Sequence, residues 1–166
     1  MPTINQILKK IISLFLFFAL NGAYAQWGFT LNQDEKKINA IGEFSFNVIK
    51  YDTIVLNLSK SRELGLDLAI EGDFLNTSEK YYVLFEIGER KIKILSSIKE
   101  KDKLRILKLK DLKSKQEYEI EDFLKVLKRG SECIMTINSG VKVIQGFNKL
   151  NGSEVAINKV LRGNYF

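Results

Sequence analysis

Short runs in which apolar and polar residues alternate indicate the fold class of this chain. The clearest run reads Leu64, Leu66, Leu68 and Ile70. Strict alternation predicts a half-buried β-strand, because successive side chains of a strand point to opposite faces. Such runs are too short for helices and predict antiparallel β-structure. Similar runs, rich in Val, Ile, Phe and Tyr, lie at Glu43–Lys50, Thr53–Leu58, Tyr81–Ile87, Lys91–Leu95 and Leu104–Leu109.

Helical spacing is confined to two segments near the C-terminus. In Ile120–Arg129 the apolar residues recur at i, i+3, i+4 and i+7, with acidic residues at the start and basic residues at the end, as the helix dipole favours. A second helix is predicted to begin at Ser153, a favourable N-cap residue. Between them, Cys133–Asn138 and Val141–Phe147 predict a hairpin. We therefore expect an α+β domain of mostly antiparallel strands, a sandwich or a curved sheet, with a C-terminal helix-hairpin-helix.

The first 25 residues have the order of a secretory signal peptide. Lys9-Lys10 precede the apolar run Ile11–Leu20, and the small-residue sequence Ala23-Tyr24-Ala25 follows. Such a run covers only about half of the hydrocarbon core of a bilayer, although an uncleaved anchor or a buried core helix is the alternative. We expect cleavage between Ala25 and Gln26, which leaves one β-rich domain at 26–166. The mature protein would then be periplasmic or secreted, without stable membrane insertion.

Residue types that serve catalysis and metal binding are scarce. The chain has no histidine, which removes the commonest general base and the commonest metal ligand. Its single cysteine, Cys133, alternates with Met135 and Ile137, and this pattern predicts a buried core residue rather than a reactive thiol. We therefore assign no catalytic, cofactor-binding or metal-binding residues.

Two other functions stay open at this point. Carboxylate pairs such as Asp67 with Glu71, or Glu71 with Asp73, would suit a small hydrolase of cell-wall glycans. Alternatively, the strand that carries Phe44 and Phe46 could line an apolar cavity in a ligand carrier.

Basic residues are concentrated between Glu89 and Lys115, a span that contains eleven basic and four acidic residues. Several recur at every second position, so strand geometry would place them on one outward face. This face would suit the binding of an anionic lipid, an anionic glycan or an acidic envelope protein. The interpretation that we favour is that the lysines protect an exposed or edge strand from aggregation. Nucleic acid is not expected, because the span has no aromatic residues for base stacking. The residues assigned to the surface are Lys91, Lys93, Lys99, Lys101, Lys103 and Arg105.

The C-terminal pattern resembles that of two groups of small exported bacterial domains. The segments EDFLKVLKRGSECIMTINSG and GFNKLNGSEVAINKVL are similar to invasion-associated locus B proteins and to periplasmic accessory proteins of type VI secretion. The resemblance covers Glu119–Leu161, and Cys133 stands alone where those families often carry paired cysteines. It implies an exported β-rich fold with an accessory role, and these families have no agreed catalytic residues to carry over to this chain. The matching positions are Leu127, Gly130, Phe147, Leu150, Gly152, Ser153 and Ala156. Our leading hypothesis is a non-enzymatic binding or accessory module of the bacterial cell envelope.

Overall fold

A computed structural model describes residues 26–32, 36–46, 54–76 and 78–163, and the expected signal peptide lies outside these ranges. Two helices are present in the described residues, α1 (Ile120–Arg129) and α2 (Ser153–Arg162). A 3-10 turn follows the fourth strand, at Asp73–Asn76. The ten strands are β1 (Trp27–Asn32), β2 (Lys37–Phe46), β3 (Ile54–Ser61), β4 (Gly65–Glu71), β5 (Tyr82–Ile87), β6 (Arg90–Glu100), β7 (Lys103–Asp111), β8 (Glu117–Tyr118), β9 (Glu132–Asn138) and β10 (Val143–Lys149).

Eight of the strands close into an antiparallel barrel. Its order is β2-β10-β9-β5-β6-β7-β4-β3, and pairing of β2 with β3, from Phe44 opposite Ile54 to Lys37 opposite Ser61, completes the ring. Strand β1 pairs with β2 and strand β8 pairs with β7, both outside the ring order. Every strand pair among the described residues is antiparallel, and the strands are joined by hairpins and by longer connections.

The predicted sandwich or curved sheet with a C-terminal helix-hairpin-helix is therefore wrong. Strands β9 and β10 do not form a separate unit with the helices. Instead, β9 pairs with β5 and β10 pairs with β2, so the hairpin is part of the barrel wall. Local alternation fixes which side chains of a strand face the core, but a sandwich and a barrel have the same alternation.

The apolar face of the strands forms the barrel interior. Cross-strand register places Leu56 opposite Ile70, and Ile70 opposite Leu104, and all three side chains are buried. The intervening residues of the same strands, such as Glu71 and Lys103, point to the opposite, outer face. One apolar cluster runs continuously from these strands to both helices.

Both helices pack on this apolar cluster with the residues of their predicted stripes. The rings of Phe123 in α1 and Phe85 in β5 have centroids 5.0 Å apart. Ser153 does not cap α2, because the N-cap position belongs to Gly152, in the left-handed conformation with a φ of 84°. The buried Ser153 hydroxyl instead donates a hydrogen bond to the carbonyl of Leu127, at 3.4 Å, and so links the two helices.

Candidate functional site

The six basic residues predicted to share one face are divided in the structure. On β6 and β7, the outer face carries Lys91, Lys93, Lys103 and Arg105, whereas Lys99 lies opposite the buried Leu104. Lys101 occupies the turn between the two strands. The prediction of a single face is wrong because the β6–β7 register shifts twice, between Ile94 and Ser97. An extra residue in a strand reverses the alternation beyond it.

Lys103 and Arg105 make ion pairs within the barrel wall. The Nε of Arg105 donates to Oδ1 of Asp67 at 2.9 Å, and the Nζ of Lys103 lies 3.3 Å from Oδ2 of the same carboxylate. Lys103 also lies 3.5 Å from Oε1 of Glu71. The hydrogen bond to Asp67 and the negative charge of that carboxylate raise the pKa of Arg105. Lys103 and Arg105 therefore neutralise carboxylates of the same barrel wall, those of Asp67 and Glu71.

The same contacts bear on the glycan hydrolase alternative. Asp67 and Glu71 lie on the outer face of β4, and both contact the ammonium group of Lys103. Asn57 adds a hydrogen bond from its Nδ2 to Oε1 of Glu71, at 3.1 Å. A carboxyl pair that hydrolyses glycans must reach the sugar with both groups, and here Lys103 and Arg105 already hold both carboxylates in ion pairs of the barrel wall. We therefore do not propose that reaction.

The carrier alternative required an apolar cavity beside Phe44 and Phe46. Phe44 is buried in the continuous apolar cluster, and Phe46 packs against it. Residues of α1 and α2 belong to the same buried cluster, and neither phenylalanine is among the residues that line the basic groove. Cys133 is buried in this cluster as predicted, and burial raises the pKa of its thiol.

An open groove of about 870 Å³ lies on the outer face, where β2, β3, β4 and β7 meet. The register places Ser59 opposite Asp67 across β3 and β4, and both are buried. Lys37 pairs with Ser61, so the start of β2 lies beside the turn that joins β3 to β4. We call this the basic groove. It is lined by Lys36, Lys37, Ser59, Ser61, Arg62, Glu63, Leu64, Asp67 and Lys103.

A side-chain hydrogen bond and a glycine shape the turn that joins β3 to β4, at one side of the basic groove. The backbone N–H of Leu64 donates to Oγ of Ser61 at 3.1 Å. Gly65 then adopts a φ of 68°, which glycine tolerates without a steric penalty. This turn presents Arg62, Glu63 and Leu64 to the groove.

Basic side chains outnumber acidic ones in the described lining of the basic groove, where Lys36, Lys37, Arg62 and Lys103 lie with Glu63 and Asp67. Lys36, Lys37 and Arg62 have no ion-pair partner among the described residues. Asp67, in contrast, is already paired with Lys103 and Arg105. The groove thus presents unpaired cations beside serine hydroxyls, a combination that suits an anionic, hydroxyl-rich ligand.

Lys36, Lys37 and Arg62 were not predicted as site residues because they lie outside the basic span. Lys37 begins β2 directly after Lys36, Arg62 lies in the turn after β3, and the β2–β3 pairing brings them together. A signal was available in Lys36-Lys37, a pair of lysines directly before an alternating run. No local pattern indicated that Arg62, 25 positions after Lys37, would line the same groove.

Comparisons with known proteins found nothing similar: no family model matches the chain, and no curated protein or solved structure matches it significantly. Neither helix in the described part of the chain has the length and hydropathy needed to span a membrane. Binding by the six residues of the basic span stays a prediction, and so does the resemblance to the two families of exported domains.

Proposed function

We propose that this protein is an exported, non-enzymatic binding module of the bacterial cell envelope, which holds an anionic ligand in its basic groove. The observation that carries the proposal is a set of three cations, Lys36, Lys37 and Arg62, which have no ion-pair partner among the described residues and lie around the buried polar Ser59 and Asp67. The signal-like first 25 residues and the resemblance to exported accessory domains support the envelope location.

The chemistry of the groove favours a glycan or lipid headgroup that carries phosphate or carboxylate. Lysine and arginine donate charge-assisted hydrogen bonds to such groups. The Ser59 and Ser61 hydroxyls can donate to and accept from sugar hydroxyls. A purely apolar ligand would leave Lys36, Lys37 and Arg62 without partners.

Isothermal titration calorimetry tests the ligand class. The probes are an oligogalacturonate, a neutral malto-oligosaccharide of equal length, and phosphatidylglycerol vesicles. We expect binding of at least one anionic probe and none of the neutral sugar. The binding variant carries Lys36→Glu, Lys37→Glu and Arg62→Glu, and it should weaken binding by about tenfold or more.

A matched variant controls for net charge. Lys80→Glu, Lys115→Glu and Arg129→Glu change the same residue types at exposed positions that have no ion pair among the described residues and do not line the groove. This variant should keep at least half of the affinity. Equal loss in both variants would indicate long-range attraction instead of a site, and failure of both anionic probes would refute the proposed ligand class.

Export is tested separately on the whole chain. We expect expression in a Gram-negative bacterium to give a periplasmic or secreted product whose N-terminal residue is Gln26. Mass spectrometry of the purified product reports the cleavage position. A product that begins at Met1 and stays in the cytoplasm would contradict the envelope location, whatever the groove binds.

A further inference from the structure

Strand β6 loses one of its two neighbours halfway along its length. Its pairing with β5 runs from Ile87 opposite Arg90 to Leu84 opposite Lys93, and no later residue of β6 is paired with β5 in the described part of the chain. From Ile94 to Glu100, β6 pairs with β7 alone. The segment Leu95–Glu100 therefore has one strand edge without a neighbouring strand among the described residues.

Two bulges lie where β6 departs from β5, and each involves a leucine. The register passes from Ile94 to Ser96 on β6 and from Lys108 to Ile106 on β7, which leaves Leu95 and Leu107 as the extra residues. Both leucines are exposed, by 39% and 40%. Bulges re-aim side chains, and here they direct two large apolar groups into solvent.

Beyond the bulges the hairpin is regular again. Ser97, Ile98, Lys99 and Glu100 pair in sequence with Ile106, Arg105, Leu104 and Lys103. Ile98 is 44% exposed, so it adds a third apolar group beside the free edge. An edge that is only protected from aggregation would be expected to expose charges rather than three large aliphatic side chains.

The basic side chains around the free edge of β6 favour an acidic partner. Lys93, Lys99 and Lys101 have no carboxylate partner among the described residues. A second copy of the chain would bring an edge with the same excess of positive charge, and like charges that come close destabilise a strand pair. An acidic strand would complement them.

We propose that the edge of β6 from Leu95 to Glu100 binds an extended acidic segment of a partner polypeptide, which adds to the barrel as a strand. The partner's backbone pairs with the free edge, its apolar residues contact Leu95, Ile98 and Leu107, and its carboxylates lie on the opposite face, near Lys99 and Lys101. This inference goes beyond the proposed function, because it gives the protein a polypeptide partner at residues other than those of the groove.

A synthetic peptide tests the pairing directly. The probe is a ten-residue peptide in which Asp or Glu alternates with Val or Leu, and the comparison peptide has Lys at the acidic positions. Hydrogen–deuterium exchange of the wild-type protein should show new protection at 95–100 with the acidic peptide only. No variant is needed for this measurement, so a folding defect cannot obscure it.

Backbone methylation separates strand addition from charge attraction. Two acidic peptides carry backbone N-methyl groups at alternate residues, one peptide at the odd-numbered residues and the other at the even-numbered residues. Strand addition requires the N–H groups of one edge only, so one phase should lose about tenfold or more in affinity while the other binds normally. Equal binding of both methylated peptides would overturn the proposal, and so would the absence of binding by the unmethylated acidic peptide.

Substitutions locate the site. The double variant Leu95→Asp and Ile98→Asp should abolish peptide binding, because it removes apolar contacts and adds like charge. The control, Val141→Asp and Val143→Asp, changes two exposed valines at the β9–β10 turn and should bind as the wild type does. Equal loss in both would place the peptide elsewhere and overturn the proposal. Anion binding in the groove should survive Leu95→Asp and Ile98→Asp, so the two proposals can fail independently.

Discussion

The indole Nε1 of Trp27 donates a buried hydrogen bond to Oδ1 of Asn148, at 2.9 Å, across 121 positions of the chain. The Nδ2 of Asn148 in turn donates to the backbone carbonyl of Glu43 on β2. Among the described residues, strands β2 and β10 share two paired positions, Phe46 with Gly146 and Ser45 with Phe147. One asparagine therefore joins β1, β2 and β10 at the seam where the described pairing of β2 with β10 is short.

Asn148→Ala should destabilise the protein by about 2–4 kcal/mol. The substitution leaves the Trp27 indole N–H and the Glu43 carbonyl without their partner, and buried unsatisfied groups cost about 1–3 kcal/mol each. Urea unfolding followed by tryptophan fluorescence measures the change. Asn151→Ala, at an exposed turn position, is the control and should change stability by less than about 0.5 kcal/mol. A similar loss in both variants would show that the seam bond is not responsible.

Gly42→Ala should destabilise the same seam by steric overlap. An added Cβ at Gly42 would lie 2.4 to 2.9 Å from atoms of the Trp27 indole. Overpacking of this kind costs about 1–3 kcal/mol. Gly28→Ala, on β1, is the matched control, because an added Cβ there meets no atom within 4 Å. Thermal unfolding compares the two, and equal melting temperatures would contradict the predicted overlap.

The sequence predicted strands and helices better than it predicted their assembly. The alternation in Leu64–Ile70 predicted a strand, and the structure has strand β4 there. The helix predicted at Ile120–Arg129 is confirmed with the same bounds. Barrel closure depends on pairs such as Phe44 with Ile54, and on the Trp27–Asn148 bond, for which no local pattern exists. The strand at Trp27–Asn32 was missed, although its apolar residues alternate.

The candidate sites were hard to predict for a related reason. The two bulges at Leu95 and Leu107 moved Lys99 off the face expected for it, and a bulge has no reliable sequence signal. The basic groove combines residues from separate turns, Lys36 and Arg62, that only the β2–β3 register brings together. Local charge density therefore identified a basic region, and only tertiary structure distinguished the paired cations from the unpaired ones.

Cys133 should be inert towards thiol reagents in the native protein. It is fully buried, and burial raises the pKa of its thiol, which keeps the thiol protonated and unreactive. Ellman's reagent should therefore label no thiol in native buffer at pH 8 and one thiol per chain in concentrated urea. Cys133→Ser would place a hydroxyl in the apolar cluster, so Cys133→Ala is the better control for non-specific signal. Rapid labelling without denaturant would contradict the buried placement.

Asp111 should make stability depend on pH on the acid side. The backbone N–H groups of Ser114 and Lys113 donate to its Oδ1 at 2.9 and 2.8 Å, and Arg90 lies 3.9 Å from its Oδ2. The hydrogen bonds from Ser114 and Lys113, with the charge of Arg90, lower the pKa of Asp111 despite its burial. A carboxylate with a lowered pKa stabilises the fold at pH values above its unfolded-state pKa, about 3.9, and this contribution is lost as the pH falls through the folded-state pKa.

Asp111→Asn removes the charge while it keeps an oxygen that can accept both N–H groups. We expect the variant to be less stable than the wild type by about 1–3 kcal/mol at pH 7, because charge-assisted hydrogen bonds become neutral ones. The difference should stay constant down to about pH 5 and shrink below that, because the unfolded wild-type chain then takes up a proton at Asp111, whereas the folded protein does so only at a lower pH. Urea unfolding at pH 7, 5 and 3 measures it. Glu132→Gln, at an exposed strand position, should change stability little at any of these pH values. A difference between Asp111→Asn and the wild type that is as large at pH 3 as at pH 7 would mean that packing, and not the charge of Asp111, stabilises this turn.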